Sequence, residues 1–361
     1  MKLPVLFTIP NLEGGGAERV MLTLLTHLDR KRFAPRLALV EKKGVYLDQL
    51  PKDVLLANLG GRHIKAFAKL MDLIRRDRPK VVFSSLTFYN ILVLLLKPMA
   101  PPGTRFIVRE NNMPSIHVPG MRFGWFKKRM YAPAYKKADR IICQSAEMQA
   151  DVAACGVPLE RTVVIPNPLD LGQVARQAAL FSPFDGGERV VAAGRLVPAK
   201  GFDLLITAFS QVAEARPGAT LHILGDGPRE AALKKQAARL GLSERVVFEG
   251  FCDNPYPYFA GARLFVLPSR YEGFPNVALE ALACGTPVAA FDCPGGLPVV
   301  DGGNGWRVPA EDVNALADCI TTALGGPAPD REAIRRSVAR HDVGQVMERF
   351  EALIEEVAAG G

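Results

Sequence analysis

The sequence holds no run long and apolar enough to cross a bilayer. Its longest purely apolar stretch is Ile91–Leu96, far short of the ~20 residues a spanning helix needs, so any membrane contact is expected to be peripheral. The apolar stretch near the start, Val5–Ile9, sits between Pro4 and Pro10; it is too short for the core of a secretory leader and reads as a first buried strand. Cysteine is scarce: Cys143, Cys155, Cys252, Cys284, Cys293 and Cys319, with no C-x-x-C pair and no Cys/His cluster. That spacing argues against a disulfide framework and a structural zinc site, and points to reduced, mostly buried thiols in a cytoplasmic compartment. No short-period repeat occurs.

What is present is ordinary globular composition on a long chain. At 361 residues, with 48% apolar and 23% charged side chains, one hydrophobic core does not suffice and two domains are expected. The net charge of +8 calls for an anionic partner, whether nucleic acid, an acidic membrane face or a phosphorylated ligand. No nucleic-acid module is recognisable, so nucleic acid is not expected.

Short β-branched runs alternate with helical patterns along the whole chain. Candidate strands in the first half are Val5–Ile9, Arg36–Val40, Val81–Ser85, Arg105–Glu110, Arg140–Ser145 and Thr162–Pro166. The pattern restarts at Arg189–Ala193 and continues through Thr220–Leu224, Arg245–Glu249, Arg263–Leu267 and Pro287–Phe291. Strand–helix–strand repetition predicts parallel sheets covered on both faces, hence an α/β protein of two Rossmann-like domains, at 1–166 and 167–342. The joint falls at Ile165-Pro166-Asn167-Pro168-Leu169-Asp170, where two prolines exclude regular helix. A final amphipathic helix, Phe350–Ala358 within residues 343–361, is placed to pack back on the first domain.

Four segments carry candidate chemistry. Gly14-Gly15-Gly16-Ala17-Glu18-Arg19 follows the first strand and opens a helix; glycines allow close backbone approach, and the helix start offers N–H groups to an anion. The spacing is not the G-x-G-x-x-G of a dinucleotide fold. Gly194-Arg195-Leu196 with Lys200-Gly201 sets two cations beside a turn, which suits a diphosphate. Gly225-Asp226-Gly227-Pro228 ends the next strand. Each of these, standing alone, is as readily a structural turn. The richest segment is Ser269-Arg270-Tyr271-Glu272-Gly273-Phe274-Pro275-Asn276-Val277, followed by Glu280-Ala281 and Cys284-Gly285-Thr286-Pro287. Backbone N–H groups of Gly273 to Val277 could meet hydroxyls or a phosphate oxygen, and Glu272 and Glu280 could each accept from a hydroxyl pair.

Taken together and in this order, these motifs resemble the retaining GT-B glycosyltransferases of family 4, over nearly the whole chain. The resemblance implies two Rossmann-like domains facing across a cleft, with a nucleotide-sugar donor, UDP favoured over GDP, on the second domain. It implies that Arg195 and Lys200 neutralise the departing diphosphate, that Glu272 holds hydroxyls of the transferred sugar and that Glu280 holds the ribose. Gly15 and Gly16 would face donor phosphates, with Gly194, Gly225, Gly273, Phe274, Pro275, Asn276 and Val277 also lining the donor. No metal or other cofactor is expected, in keeping with the lack of an Asp-x-Asp sequence. Two departures stand out. Where relatives often carry a histidine after the fourth strand of the first half, this chain reads Arg109-Glu110-Asn111-Asn112, with His117 beyond it in a loop. The segment Cys293–Val300, including Gly296, has no acid before Asp301.

On the acceptor side, Ile64, Phe67, Ala68, Met71 and Ile74 form a helical apolar stripe beside Lys65, Lys69 and Arg76. Phe123, Trp125, Phe126, Lys127, Lys128 and Arg129 mix aromatics with cations. Such surfaces suit anionic headgroups or a diphosphate-bearing acceptor; Arg109 and Asn111 join them as acceptor candidates. The expectation is a hexosyl- or N-acetylhexosaminyltransferase acting on a lipid-linked or polysaccharide glycan, peripheral on the cytoplasmic face of a membrane. The alternatives are a GT-B nucleotide-sugar epimerase, a non-catalytic sugar-nucleotide or membrane-binding protein and, more remotely, a dinucleotide oxidoreductase.

Overall fold

The computed structural model describes residues 2–60, 63–120, 124–295 and 297–360, and not the side chains of residues 63 and 64. The expectations placed on Ile64, Phe123 and Gly296 therefore lie outside what is described. The chain forms two compact units: Met1–Leu169 with Val343–Gly361, and Asp170–Asp342.

Unit 1 runs β1 (Leu3–Ile9), α1 (Gly16–His27), β2 (Phe33–Leu39), β3 (Leu55–Asn58), α2 (His63–Asp77), β4 (Val81–Ser85), α3 (Thr87–Leu96), β5 (Arg105–Arg109), α4 (Pro114–Gly120), α5 (Gly124–Tyr135), β6 (Arg140–Cys143), α6 (Ala146–Ala154) and β7 (Thr162–Val164). Its seven strands are all parallel in the order β3-β2-β1-β4-β5-β6-β7. Alternation along β1 shows why both faces must be covered: Val5, Phe7 and Ile9 enter one core cluster and Leu6 enters another, as a period of two requires.

Unit 2 runs α7 (Leu171–Ala178), β8 (Arg189–Ala193), α8 (Phe202–Ala215), β9 (Thr220–Leu224), α9 (Glu230–Arg239), β10 (Val246–Gly250), α10 (Tyr256–Gly261), β11 (Leu264–Leu267), α11 (Asn276–Ala283), β12 (Val288–Asp292), β13 (Gly305–Pro309), α12 (Val313–Gly325) and α13 (Arg331–Ser337). Its parallel order, β10-β9-β8-β11-β12-β13, is the doubly wound pattern of a nucleotide-binding sheet.

The sequence pattern misses β3 and β13, both edge strands. β3 is four residues without a β-branched side chain and is nowhere fully buried; β13 carries Gly305 and Pro309, residues poor in strands. The joint, residues 165–170, contains no helix, as its two prolines require. Asp170 caps α7, its side chain accepting from the Gln173 amide at 2.7 Å.

The last helix, α14 (Val343–Ala359), begins well before Phe350. Val346, Met347, Phe350, Leu353, Ile354 and Val357 enter the same cluster as Val5, Phe7 and Phe83. Phe350 is 1% exposed, its ring 6.2 Å from that of Phe83. Glu351 accepts from the Asp29 amide at 2.7 Å and from Arg32 at 2.7 Å, and Arg32 also reaches Glu355. Truncating a buried phenylalanine removes its transfer energy and leaves a void. Phe350→Ala is expected to destabilise unit 1 by ~3–5 kcal/mol, read as a lowered midpoint in urea unfolding.

Candidate active site

In unit 2 the strand order reverses between β8 and β11, the place where open α/β sheets leave a crevice beyond their carboxyl ends. The loops leaving these strands are tied together. Leu196 donates its amide to the Asp226 carbonyl at 2.6 Å, and Arg270 donates its amide to Ala199 at 2.9 Å. Gly201 opens α8 at φ +64°, and a Cβ there would stand 1.9 Å from the Pro268 carbonyl oxygen. Only glycine lets the loop after β11 lie so close.

Against this frame Lys200 and Glu272, far apart in sequence, meet. The Lys200 ammonium donates to Glu272 Oε1 at 2.6 Å, and the Ser269 hydroxyl donates to the same oxygen at 2.6 Å. Glu272 is 6% exposed and Lys200 28%. The Glu272 backbone is fixed from the other side: its amide donates to Pro294 at 3.0 Å, and a Cβ on Gly295 (φ +101°) would stand 1.7 Å from its carbonyl oxygen. Arg195 extends from the loop after β8, exposed; its carbonyl accepts from the Val197 amide at 2.8 Å, and its side chain makes no hydrogen bond or ion pair among the described residues. Glu280 is buried at 2% exposure, inside α11. Gly273, Phe274 and Pro275 are buried, while Asn276 and Val277 are half-buried. The expected row of inward N–H groups is incomplete, because the Asn276 amide donates to the Phe274 carbonyl at 2.9 Å within the turn itself. Gly194 and Gly225 end β8 and β9, and the Gly194 amide donates to Leu224 at 2.9 Å.

Arg270, which the sequence left without a role, braces the loop. It reaches both Asp203 oxygens, at 2.9 and 2.8 Å, the Pro198 carbonyl at 2.7 Å and Glu311 at 3.0 Å. These bonds hold the Asp203 carboxyl below its usual range.

In unit 1 the glycine loop precedes α1, with Gly15 at the cap position and Gly16 as the first helical residue. A Cβ on Gly15 would meet the Glu18 carboxylate at 2.3 Å. The end of β5 carries two buried charges on successive residues. Arg109, 2% exposed, donates to the side-chain oxygens of Asn111 and Asn167. Burial pushes its guanidinium down to about 9, opposed by Glu110 and Glu18, so it is charged at neutral pH. Asn111 in turn donates to the Ser85 hydroxyl at 2.8 Å. Glu110 is fully buried and accepts from Thr87, from the Tyr135 hydroxyl at 2.6 Å, from the Tyr131 hydroxyl at 3.2 Å and from the Asn111 amide at 2.8 Å. Sequence reasoning gave Glu110 no role; a charge closing a β-branched run was the signal available. His117 is a correction: it lies in α4, not in a loop.

The α2 stripe is also corrected. Its core face is Ala66, Leu70, Met71, Leu73 and Ile74, whereas Ala68 is exposed and Phe67 half-buried. The stripe is mostly core. Lys65 and Lys69 are exposed, and Arg76 pairs with Asp77 at 2.9 Å. On α5, Trp125 is 74% and Phe126 49% exposed, with Lys128 and Arg129 exposed beside them and Lys127 half-buried. Among the described residues, no helix is long and apolar enough to cross a membrane. All six cysteines are free thiols.

Residues 14–173 match the family profile described as Glycosyltransferase Family 4, and residues 187–325 match that of Glycosyl transferases group 1. The chain is 34% identical, over 68% of both proteins, to the GDP-mannose-dependent alpha-(1-6)-phosphatidylinositol monomannoside mannosyltransferase of Mycolicibacterium smegmatis. The chain belongs to glycosyltransferase family 4. This glycosyltransferase is also 29% identical, over 88% of both chains, to the N-acetylgalactosamine-N,N'-diacetylbacillosaminyl-diphospho-undecaprenol 4-alpha-N-acetylgalactosaminyltransferase of Campylobacter jejuni. Its fold is GT-B: the Anabaena protein HepE, solved with UDP-glucose, superposes with a TM-score of 0.82 at 21% identity, over 99% of this chain and 100% of that one.

The Arg270 brace yields a test. A carboxyl whose folded pKa lies below its ordinary 3.8 adds stability above that pH and loses it as pH falls through the folded value. Asp203→Asn is expected to cost the glycosyltransferase ~1–2 kcal/mol near neutral pH, with the gap to the parent closing below about pH 4. Thermal melts across pH read both.

Proposed function

We propose that this glycosyltransferase moves a hexose or N-acetylhexosamine from a nucleotide sugar, a UDP-sugar in the first instance, to a membrane-associated, lipid-linked glycan, with retention at the transferred carbon. The observation that carries the donor half is the Lys200–Glu272–Ser269 cluster at 2.6 Å spacings on the carboxyl edge of unit 2. Glu272 holds the ammonium in place, and its second carboxylate oxygen is the acceptor for sugar hydroxyls. Lys200 and the exposed Arg195 offer positive charge to the diphosphate as it leaves, a stabilisation that grows with the developing charge. The acceptor hydroxyl then attacks on the face the diphosphate vacates. We assign no metal to this step, because the two side-chain cations serve the leaving group. The ribose role of Glu280 follows the family motif, with its carboxylate presented from the first turns of α11.

The acceptor half rests on unit 1. The exposed Trp125 and Phe126 with Lys127, Lys128 and Arg129 form an aromatic and cationic surface suited to an anionic headgroup layer. Two relatives support a lipid-linked acceptor through their names, one a diphospho-undecaprenol glycan and one a phosphatidylinositol mannoside. The reading places the enzyme peripherally on the cytoplasmic face of a membrane.

Lys200→Ala and Glu272→Ala are each expected to lower transfer by ~10²–10³-fold with the fold retained, read by circular dichroism. Near-parental turnover in either variant rejects the assignment. A melting-temperature screen over UDP-glucose, UDP-N-acetylglucosamine, UDP-N-acetylgalactosamine and GDP-mannose identifies the donor, and a shift with GDP-mannose alone rejects the UDP choice.

A further inference from the structure

Lys200 closes a tight 3₁₀ turn, Pro198–Lys200, and one residue from the loop after β11 holds both peptide carbonyls that precede it. The Arg270 amide donates to the Ala199 carbonyl at 2.9 Å, and the Arg270 guanidinium donates to the Pro198 carbonyl at 2.7 Å. Three further bonds from the guanidinium run to carboxylates, two to Asp203 at 2.9 and 2.8 Å and one to Glu311 at 3.0 Å. Asp203 lies in the first turn of α8, beyond Lys200 in the chain. Arg270 therefore grips the backbone before Lys200 and a side chain after it. Glu311 sits at φ +57°, a conformation unfavourable for a residue with a Cβ and of a kind that collects around functional sites.

We propose that Arg270 is a positioning residue for the transfer reaction: it sets where the Lys200 ammonium stands relative to a nucleoside diphosphate, without touching that ligand itself. The proposal rests on the donor half of the reading above. A lysine carries its charge on a flexible four-carbon stem. The bond from its tip to Glu272 at 2.6 Å fixes the charge only if the backbone at its root is fixed as well. Arg270 supplies the root anchor, and it stands two residues before Glu272, so one short loop holds both ends of the Lys200 side chain. The attraction between an ammonium and a phosphate falls with distance, and an error of about 1 Å in a group that meets the reacting atoms can cost about 10²-fold. Arg270 is itself kept off the ligand. Asp203 and Glu311 occupy its donors and outweigh its charge, two carboxylates against one guanidinium, so an anion gains little from it. An arginine suits the task because its planar fork serves a bidentate carboxylate and a carbonyl together, which a single ammonium cannot do.

The test is a double-mutant cycle on the full chain, read by calorimetric titration with UDP and GDP as probes. Arg270→Met keeps much of the stem and removes every side-chain bond. It is expected to weaken the diphosphate that binds by about tenfold. In the Lys200→Ala background, where there is no ammonium left to place, the same change is expected to cost less than about threefold. Arg270→Lys is expected to fall between Arg270→Met and the parent, and it takes the place of Arg270→Met if that chain does not fold. Should Lys200→Ala leave affinity too weak to titrate, the lysines are ¹³C-methylated instead; the Lys200 signal, assigned by its loss in Lys200→Ala, is expected to shift in the Arg270 variant, and an unmoved signal overturns the proposal. Parental affinity in a folded Arg270→Met chain, or an equal loss with and without Lys200, also overturns it, because Arg270 then acts on stability alone. A parent that binds neither UDP nor GDP, or a Lys200→Ala chain that binds like the parent, removes the donor reading and this proposal together. Lys200-dependent binding with an additive cycle removes the positioning role and leaves the donor reading standing.

Discussion

Parallel strands cannot be joined by tight turns; each connection has to cross the sheet, and every strand then ends on the same edge. Both units of this protein obey that constraint throughout. Where strand order reverses, neighbouring loops diverge to opposite faces and a crevice opens between them. Lys200 follows β8 and Glu272 follows β11, the two strands flanking the reversal in unit 2. Their meeting across 72 positions is a consequence of topology before it is one of chemistry. A cavity in unit 1 occupies the equivalent place beside β1 and β4.

The same edge holds buried charges in both units, in two different ways. Arg109, the last residue of β5, and Glu110 directly after it find separate partners. They do not pair with each other. Glu110 accepts from hydroxyls of α3 and α5, and Arg109 donates to amide oxygens of Asn111 and Asn167, while its buried Nε has no partner among the described residues. A buried charge costs several kcal/mol unless it is hydrogen-bonded, so each set of bonds ties its elements together. Glu110 also suppresses ionisation of Tyr131 and Tyr135, on top of their burial. Unit 2 pairs opposite charges directly, Lys200 with Glu272 and Arg270 with Asp203. Hydroxyl-bound Glu110 braces α5, the helix that carries the exposed aromatics, whereas the unit 2 pairs brace loops.

Much of this was legible in the residues. Apolar runs such as Val81-Val82-Phe83, buried at every position, announce central strands, because both of their faces are apolar. Edge strands β3 and β13 did not, since one neighbour and a wet face relax the requirement for Val and Ile. The loop motifs around Gly194–Gly201 and Ser269–Asn276 were readable because glycine, proline and charge at fixed spacing leave few alternatives. What the sequence could not supply was partnership. Lys200 and Glu272 were assigned separate tasks, and only the coordinates put them on one hydrogen bond. Arg270 reads as a surface cation until Asp203 and Glu311 are seen around it. The α2 stripe failed for a related reason: alanines satisfy either face of a helix, so Ala66 and Ala68 could not be told apart by pattern. The residues lining the unit 1 cavity come from separate segments between Pro10 and His117, and no local motif links them.

The two cations proposed to meet the donor differ in freedom, and under that proposal the difference has a physical use. Lys200 is anchored to a carboxylate that is itself held by Ser269 and by the chain at Pro294, so the orientation of its ammonium is fixed before any ligand arrives. Preorganised charge needs no rearrangement as the leaving group develops its own. The anchoring also halves the problem of storing a cation at a partly desolvated edge, since Glu272 balances it. Arg195 stands exposed, where water screens it and no carboxylate competes for its five donors. On the proposed reading, a donor diphosphate would meet one cation already in position and one free to fold over it. A second fixed cation beside Lys200 would repel it. A second free one would give up side-chain entropy on every binding event.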